Sequence, residues 1–132
     1  MRICICGLHR EDAVKKAEDA LGVESVNVDF PGMESEPNKL FYNAALSFKY
    51  FEKDNVVFDG GVFDEDNFKL YADVGWAELQ EQIILSVIAN LDYIVIIKEG
   101  MDEKRVRFCQ SFADIYPNKF VMINTGSELE IG

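Results

Sequence analysis

Short runs of consecutive apolar residues alternate along this chain with longer stretches in which apolar side chains return every three or four positions. The runs read as strands buried on both faces, and the stretches read as helices with one apolar stripe. The first run, Arg2 to Cys6, enters Gly7 and then a helix from about Asp12 to Leu21 striped by Ala13, Ala17, Ala20 and Leu21. Gly22 closes that helix, because a residue without a Cβ enters the left-handed C-cap conformation freely. A second strand, Ser25 to Phe30, stops at Pro31-Gly32, and the polar run Met33 to Pro37 is loop. The next helix, about Asn38 to Phe51, carries Leu40, Phe41, Ala44, Ala45, Phe48 and Phe51 at helical spacing and is expected to bury an aromatic face. Asn55 to Asp59 reads as a central strand that turns at Gly60-Gly61. Helices Asp64 to Tyr71 and Trp76 to Asn90 follow, broken apart near Gly75, and the second is striped by Leu79, Ile83, Ile84, Val87, Ile88 and Leu91. Tyr93 to Ile97 is the clearest strand; Asp102 then caps a helix through Ile115, Pro117 ends it, and Phe120 to Ile123 is the last strand.

Five strands joined by helical crossovers predict a mostly parallel five-stranded sheet in a three-layer α/β sandwich. There is no internal repeat or linker, so residues 1–132 read as a single domain. Ligands of such sheets sit beyond the carboxyl ends of the strands. That rule gathers Gly7 to Asp12, Asp29 to Gly32, Asp59 to Val62, Lys98 to Met101 and Asn124 to Ser127 into one candidate surface.

Composition narrows the partners. A net charge of −11, from 24 acidic against 13 basic residues, lacks the clustered cations that phosphate backbones require, so no nucleic acid is expected. No apolar run approaches the length that spans a bilayer, and the first residues show no cleavage pattern; the chain is expected to be cytoplasmic and without a membrane partner. Cys4, Cys6 and Cys109 are an odd number, and the first two share one strand face, which favours buried free thiols. A lone C-x-C with one histidine in the chain is poor metal-ligand spacing, so no metal and no cofactor are expected.

The strand, glycine turn and helix at residues 2–21 are the parts of a phosphate-binding loop. The working motif G-x-x-x-x-G-K-[ST] needs a second glycine for backbone approach, a lysine for charge and a hydroxyl for Mg²⁺. Counted from Gly7, those positions hold Asp12, Ala13 and Val14. A carboxylate, a methyl and a branched apolar group therefore replace them, and ordinary ATP turnover is not expected.

Within the candidate surface, His9 and Arg10 either reach an anion or form a plain surface turn; Glu11 and Asp12 beside them cancel the local field and favour the turn. Asp59 ends a buried strand and needs a hydrogen-bond partner or a ligand, with Gly60 and Gly61 supplying backbone N–H groups or receiving a cap. Asp29 joins it on the same rim. Lys104, Arg105 and Arg107 form a basic cluster whose plain reading is a solvated helix face. Trp76, Phe63, Phe68 and Tyr71 either pack in the core or meet a second copy, so a homo-oligomer stays open. No Ser-His-Asp or Cys-His arrangement is present, so no catalytic residue is assigned.

Through Ile3-Cys4-Ile5-Cys6-Gly7-Leu8-His9, Asn55 to Asp59, Leu91 to Ile97 and Phe120 to Gly126, the chain resembles the small phage-type P-loop nucleotide kinases and related NTPases. The resemblance covers most of the chain and implies a P-loop kinase-like fold. It departs from the family at Gly60, where an arginine follows the strand aspartate, and between Lys98 and Lys119, where an arginine-bearing lid is reduced to one helix. On this resemblance, Lys104, Arg105 and Arg107 are a remnant of phosphate-clamping residues. The expected protein is a pseudoenzyme: a non-catalytic, protein-binding module, the resemblance pointing to a bacteriophage host-interaction or inhibitor protein. The alternatives are a nucleotide-sequestering module and an enzyme resembling nucleoside deoxyribosyltransferases, against which stands Gln110 with no glutamate between Lys104 and Asn118.

Overall fold

The computed structural model describes residues 1–28, 39–63 and 77–131. Four strands, β1 (Arg2–Cys6), β2 (Val56–Asp59), β3 (Tyr93–Ile97) and β4 (Phe120–Ile123), form one parallel sheet in the order β2-β1-β3-β4. The described helices are α1 (Glu11–Leu21), α2 (Lys39–Tyr50), α3 (Ala77–Asn90) and α4 (Glu103–Ile115), with a 3₁₀ turn at Gly126–Glu128. In register, Ile3 stands beside Val57 on one side and Tyr93 on the other, while Ile94 stands beside Phe120.

Strand alternation divides the core between two faces. Cys4, Cys6, Phe58, Ile94, Ile96 and Phe120 point into one layer with side chains of α2, α3 and α4. Ile3, Ile5, Val57, Val95 and Ile97 point into the other, where Ala13, Val14 and Ala17 of α1 and Leu129 meet them. All three cysteines are buried and free, as their strand and helix positions imply. No helix among the described residues is long and apolar enough to cross a membrane.

One expectation is met in part and one needs correction. Among the described residues four strands pair in the sheet where five were expected, and residues 25–28 of the expected strand Ser25 to Phe30 make one isolated parallel bridge, Val26 with Phe58. The Val26 amide donates to Val57 O at 2.8 Å and the Asp59 amide to Val26 O at 2.9 Å, but the next inward carbonyl, that of Val28, accepts from the Asn43 side chain of α2. The face of α2 is also rotated from its aromatic stripe, for Leu40, Asn43, Ala44, Ser47 and Phe51 are buried, whereas Ala45 is exposed and Phe48 is 42% exposed. The interior polar pair explains the rotation: Asn43 holds Val28 O, and Ser47 Oγ donates to Asn43 O at 2.7 Å. Of the two readings of Phe63, the structure has the core: it is fully buried with its ring centroid 5.5 Å from Phe112 and 5.6 Å from Phe120. Phe68, Tyr71, Trp76, the helix at 64–71 and the loop at 31–37 lie outside the described residues.

Candidate functional site

β1 is central, and the chain reaches β2 on one side of it before crossing to β3 on the other. A crevice at the carboxyl ends of strands forms where connections diverge in this way. Here the chain itself fills it. Gly7 adopts φ +132°, and a Cβ on it would lie 2.6 Å from Ile97 O and 2.9 Å from Ile97 Cβ, so the turn after β1 is pressed onto the end of β3. Only glycine meets both demands.

Arg10 stands at the N-cap of α1 without capping it through its side chain. Its guanidinium instead donates from Nη1 to Gly7 O at 2.8 Å and from Nε to Asp59 Oδ1 at 2.5 Å. The half-buried pair thus bridges the β1 turn and the end of β2, with side-chain exposures of 23% and 36%. At that exposure it contributes on the order of 1 kcal/mol. A cation and an anion of the chain occupy one another where a bound anion would need the cation free.

The glycines beside Asp59 are committed as well. The Gly60 N–H donates to Ile5 O at 2.8 Å, extending the ladder with β1. Gly61, at φ +156°, passes so close over Cys4 that a Cβ would stand 3.1 Å from its Sγ. Beneath them, Cys4 Sγ lies 3.6 Å from Cys6 Sγ and 3.5 Å from Gly60 O. On the same side of the sheet, burial pushes the Cys109 thiol up to about 12; Cys6 adds to the shift and Arg105 opposes it. Cys109 therefore stays protonated at neutral pH and is a packing group, not a nucleophile.

The positions that replace the phosphate-binding residues are explicit in the geometry. Ala13 and Val14 are buried at 0% and 7% exposure and pack on the sheet, while Asp12 and Glu11 are exposed in the first turn of α1. Gly126 sits against this turn so closely that a Cβ would lie 3.0 Å from the Ala13 amide nitrogen. Thr125 Oγ1 and Ser127 Oγ bond each other at 2.6 Å, and Lys16 Nζ donates to Ser127 O at 2.7 Å and Leu129 O at 3.3 Å. The α1 lysine nearest that loop is spent on carbonyls.

The fold brings Gly7, Arg10, Asp59, Gly60 and Gly61 to one rim. His9 is exposed beside them, where a Cβ on Gly100 would lie 3.6 Å from its ring; Asp29 lies outside the described residues. The three basic residues of α4 do not act together. Lys104 is exposed, and Arg107 is exposed and paired with Glu103 at 2.7 Å. Arg105 is 3% exposed, donates from Nη2 to Phe63 O at 2.9 Å and leaves Nε without a partner. Helical period explains the split, since Arg105 shares its inward stripe with Cys109 and Phe112. Among the described residues, no group of three or more His, Cys, Asp or Glu side chains is arranged to hold a metal ion.

The Arg10–Asp59 pair was not legible beforehand. Both residues were on the predicted rim, and opposite charges at the ends of neighbouring strands were the one available signal. Compared with known proteins, the chain matches no family model, no curated protein and no solved structure.

Proposed function

We propose that the chain is a P-loop kinase-like scaffold without phosphoryl-transfer activity, and that it works by binding another protein. The observation that carries this reading is the Arg10–Asp59 ion pair closed over the Gly7 carbonyl, with Ala13 and Val14 turned into the core behind it. Phosphoryl transfer depends chiefly on positioned cations and backbone donors facing the phosphates. Here the guanidinium faces the chain's own carboxylate, the Gly60 amide faces Ile5, and the first turn of α1 presents Glu11 and Asp12.

The order of extended segments supports the kinase-like part. Counting the Val26 bridge, which lies on the edge of β2 away from β1, the segments run second, third, first, fourth, fifth across the sheet. This is neither the 3-2-1-4-5-6 order nor the 2-1-3-4-5 order of the common doubly wound folds. Buried free thiols support a reducing, cytoplasmic setting. The association with a phage or its host rests on the family resemblance alone.

The test is a phosphate-release assay on purified protein with ATP and Mg²⁺, run beside isothermal titration of the same nucleotide. Neither release nor heat of binding is expected. Release that Asp59→Asn abolishes overturns the reading, and nucleotide binding without release replaces it with sequestration.

A further inference from the structure

The two faces of the sheet are covered unequally. One lies under α2, α3 and α4; on the other, among the described residues, α1 with Val23 just after it and the segment around Leu129 pack. α1 lies over β1 and β2, which leaves the β3–β4 half of that face to Leu129 and Ile131. Between this half and its thin cover is a cavity of about 190 Å³, floored by Ile3, Val95 and Val121 and walled by Tyr93, Glu130 and Ile131. An apolar cavity of about 150 Å³ stays dry and takes one benzene-sized group. Drug-sized molecules need roughly 300–1,000 Å³. The space therefore suits a single large apolar side chain and excludes a nucleotide.

Charge decides what brings that side chain. Glu130 on the wall is exposed, as is Asp92 beside Tyr93, whose Oδ2 accepts from the Arg2 amide at 2.8 Å. The nearby cations are engaged: Lys16 on the carbonyls of Ser127 and Leu129, the Met1 ammonium on Asp54 O and Asn55 Oδ1. A second copy would bring another net charge of −11 to this surface, whereas a cationic partner is drawn to it.

We propose that this cavity is the anchor pocket for a basic amphipathic helix of a partner protein, which inserts one large apolar side chain between the β3–β4 face and the wall at Ile131. The idea rests on the protein-binding reading, and it gives that reading a surface at the amino ends of β1 and β3, away from the Gly7 turn. A buried apolar anchor inside a polar rim is the usual source of affinity in helix recognition.

The probe is a synthetic Leu/Lys amphipathic helix of about 18 residues, long enough for five turns, titrated into methyl-labelled protein and followed by NMR. The methyl signals of Ile3, Val95, Val121 and Ile131 should shift together, and a Leu/Glu peptide of the same pattern should leave them unmoved. Val121→Lys should weaken binding by roughly tenfold or more, as loss of a central anchor contact does; if that variant fails to fold, Ile131→Ser serves instead. Unmoved methyl signals, equal binding of the Leu/Glu peptide, or shifts confined to the acidic surface of α1 overturn the proposal. So does sedimentation showing a concentration-dependent dimer in which the same methyl signals shift, which gives the pocket to a second copy. None of these results bears on phosphate release, so a failure here and a failure of the non-catalytic reading are told apart.

Discussion

At Gly7, one hydrogen atom in place of a methyl lets the turn after β1 close on Ile97. Gly7→Ala forces a Cβ to within 2.6 Å of a carbonyl oxygen at φ +132°, and the strain and overpacking together are expected to cost about 3 kcal/mol of stability. Denaturant unfolding of the variant checks this. The Arg10–Asp59 pair is a smaller contribution. A double-mutant cycle with Arg10→Ala and Asp59→Asn should return a coupling of about 1 kcal/mol, as for other partly exposed pairs, and a coupling near zero would show that the two groups do not hold the turn. Cys109 carries a pH signature. Its thiol is raised from 9.0 to about 12 by burial, so the folded state holds a proton that the unfolded chain releases. That contribution is fully present below pH 9 and is lost as pH rises toward 12. Cys109→Ala should lower stability overall yet flatten the decline across that alkaline window, which urea titrations of both proteins at several pH values will show.

Polar side chains inside or at the ends of the helices decide how those elements dock. Asn43 and Ser47 are buried at 0% and 4% exposure on α2, and Asn43 donates to the Val28 carbonyl. Asn43→Ala leaves that carbonyl without its donor and should cost about 1–3 kcal/mol. Asp102→Ala removes the cap on α4, where Asp102 Oδ1 accepts from Lys104 N at 2.7 Å, and should cost about 1 kcal/mol. The two sites lie on different helices, so in the double variant their effects should add, read from shifts in the denaturation midpoint. Arg2 works between elements. Its guanidinium donates to the carbonyls of Phe51, Lys53 and Asn90, tying the ends of α2 and α3 to the start of β1.

Across the whole molecule, an excess of acid sets the energetics of the compact state and the choice of partner. With a net charge of −11, self-repulsion opposes folding and salt should relieve it. Raising NaCl at neutral pH is expected to lift the melting temperature by on the order of 3 °C, measured by circular dichroism; a fall would mean that local ion pairs outweigh the net charge. The same charge favours cationic partners over copies of the chain, which is the physical basis for the occupant assigned to the cavity beside Ile131.

The four strands, their burial, the glycine that closes α1 and the capped start of α4 all followed from the sequence, because apolar runs, N-caps and glycine C-caps act over a few neighbouring residues. The replacement of lysine and hydroxyl by Ala13 and Val14 was legible for the same reason. Tertiary structure decided the rest. Asn43 reached the Val28 carbonyl from a helix fifteen residues away in the chain. Arg10 met Asp59, and Arg105 turned inward from its basic neighbours, because pairing and burial depend on which strand ends and helix faces are brought together. Local pattern specifies an element and its apolar stripe; which polar groups meet depends on distances that exist only once the sheet has closed.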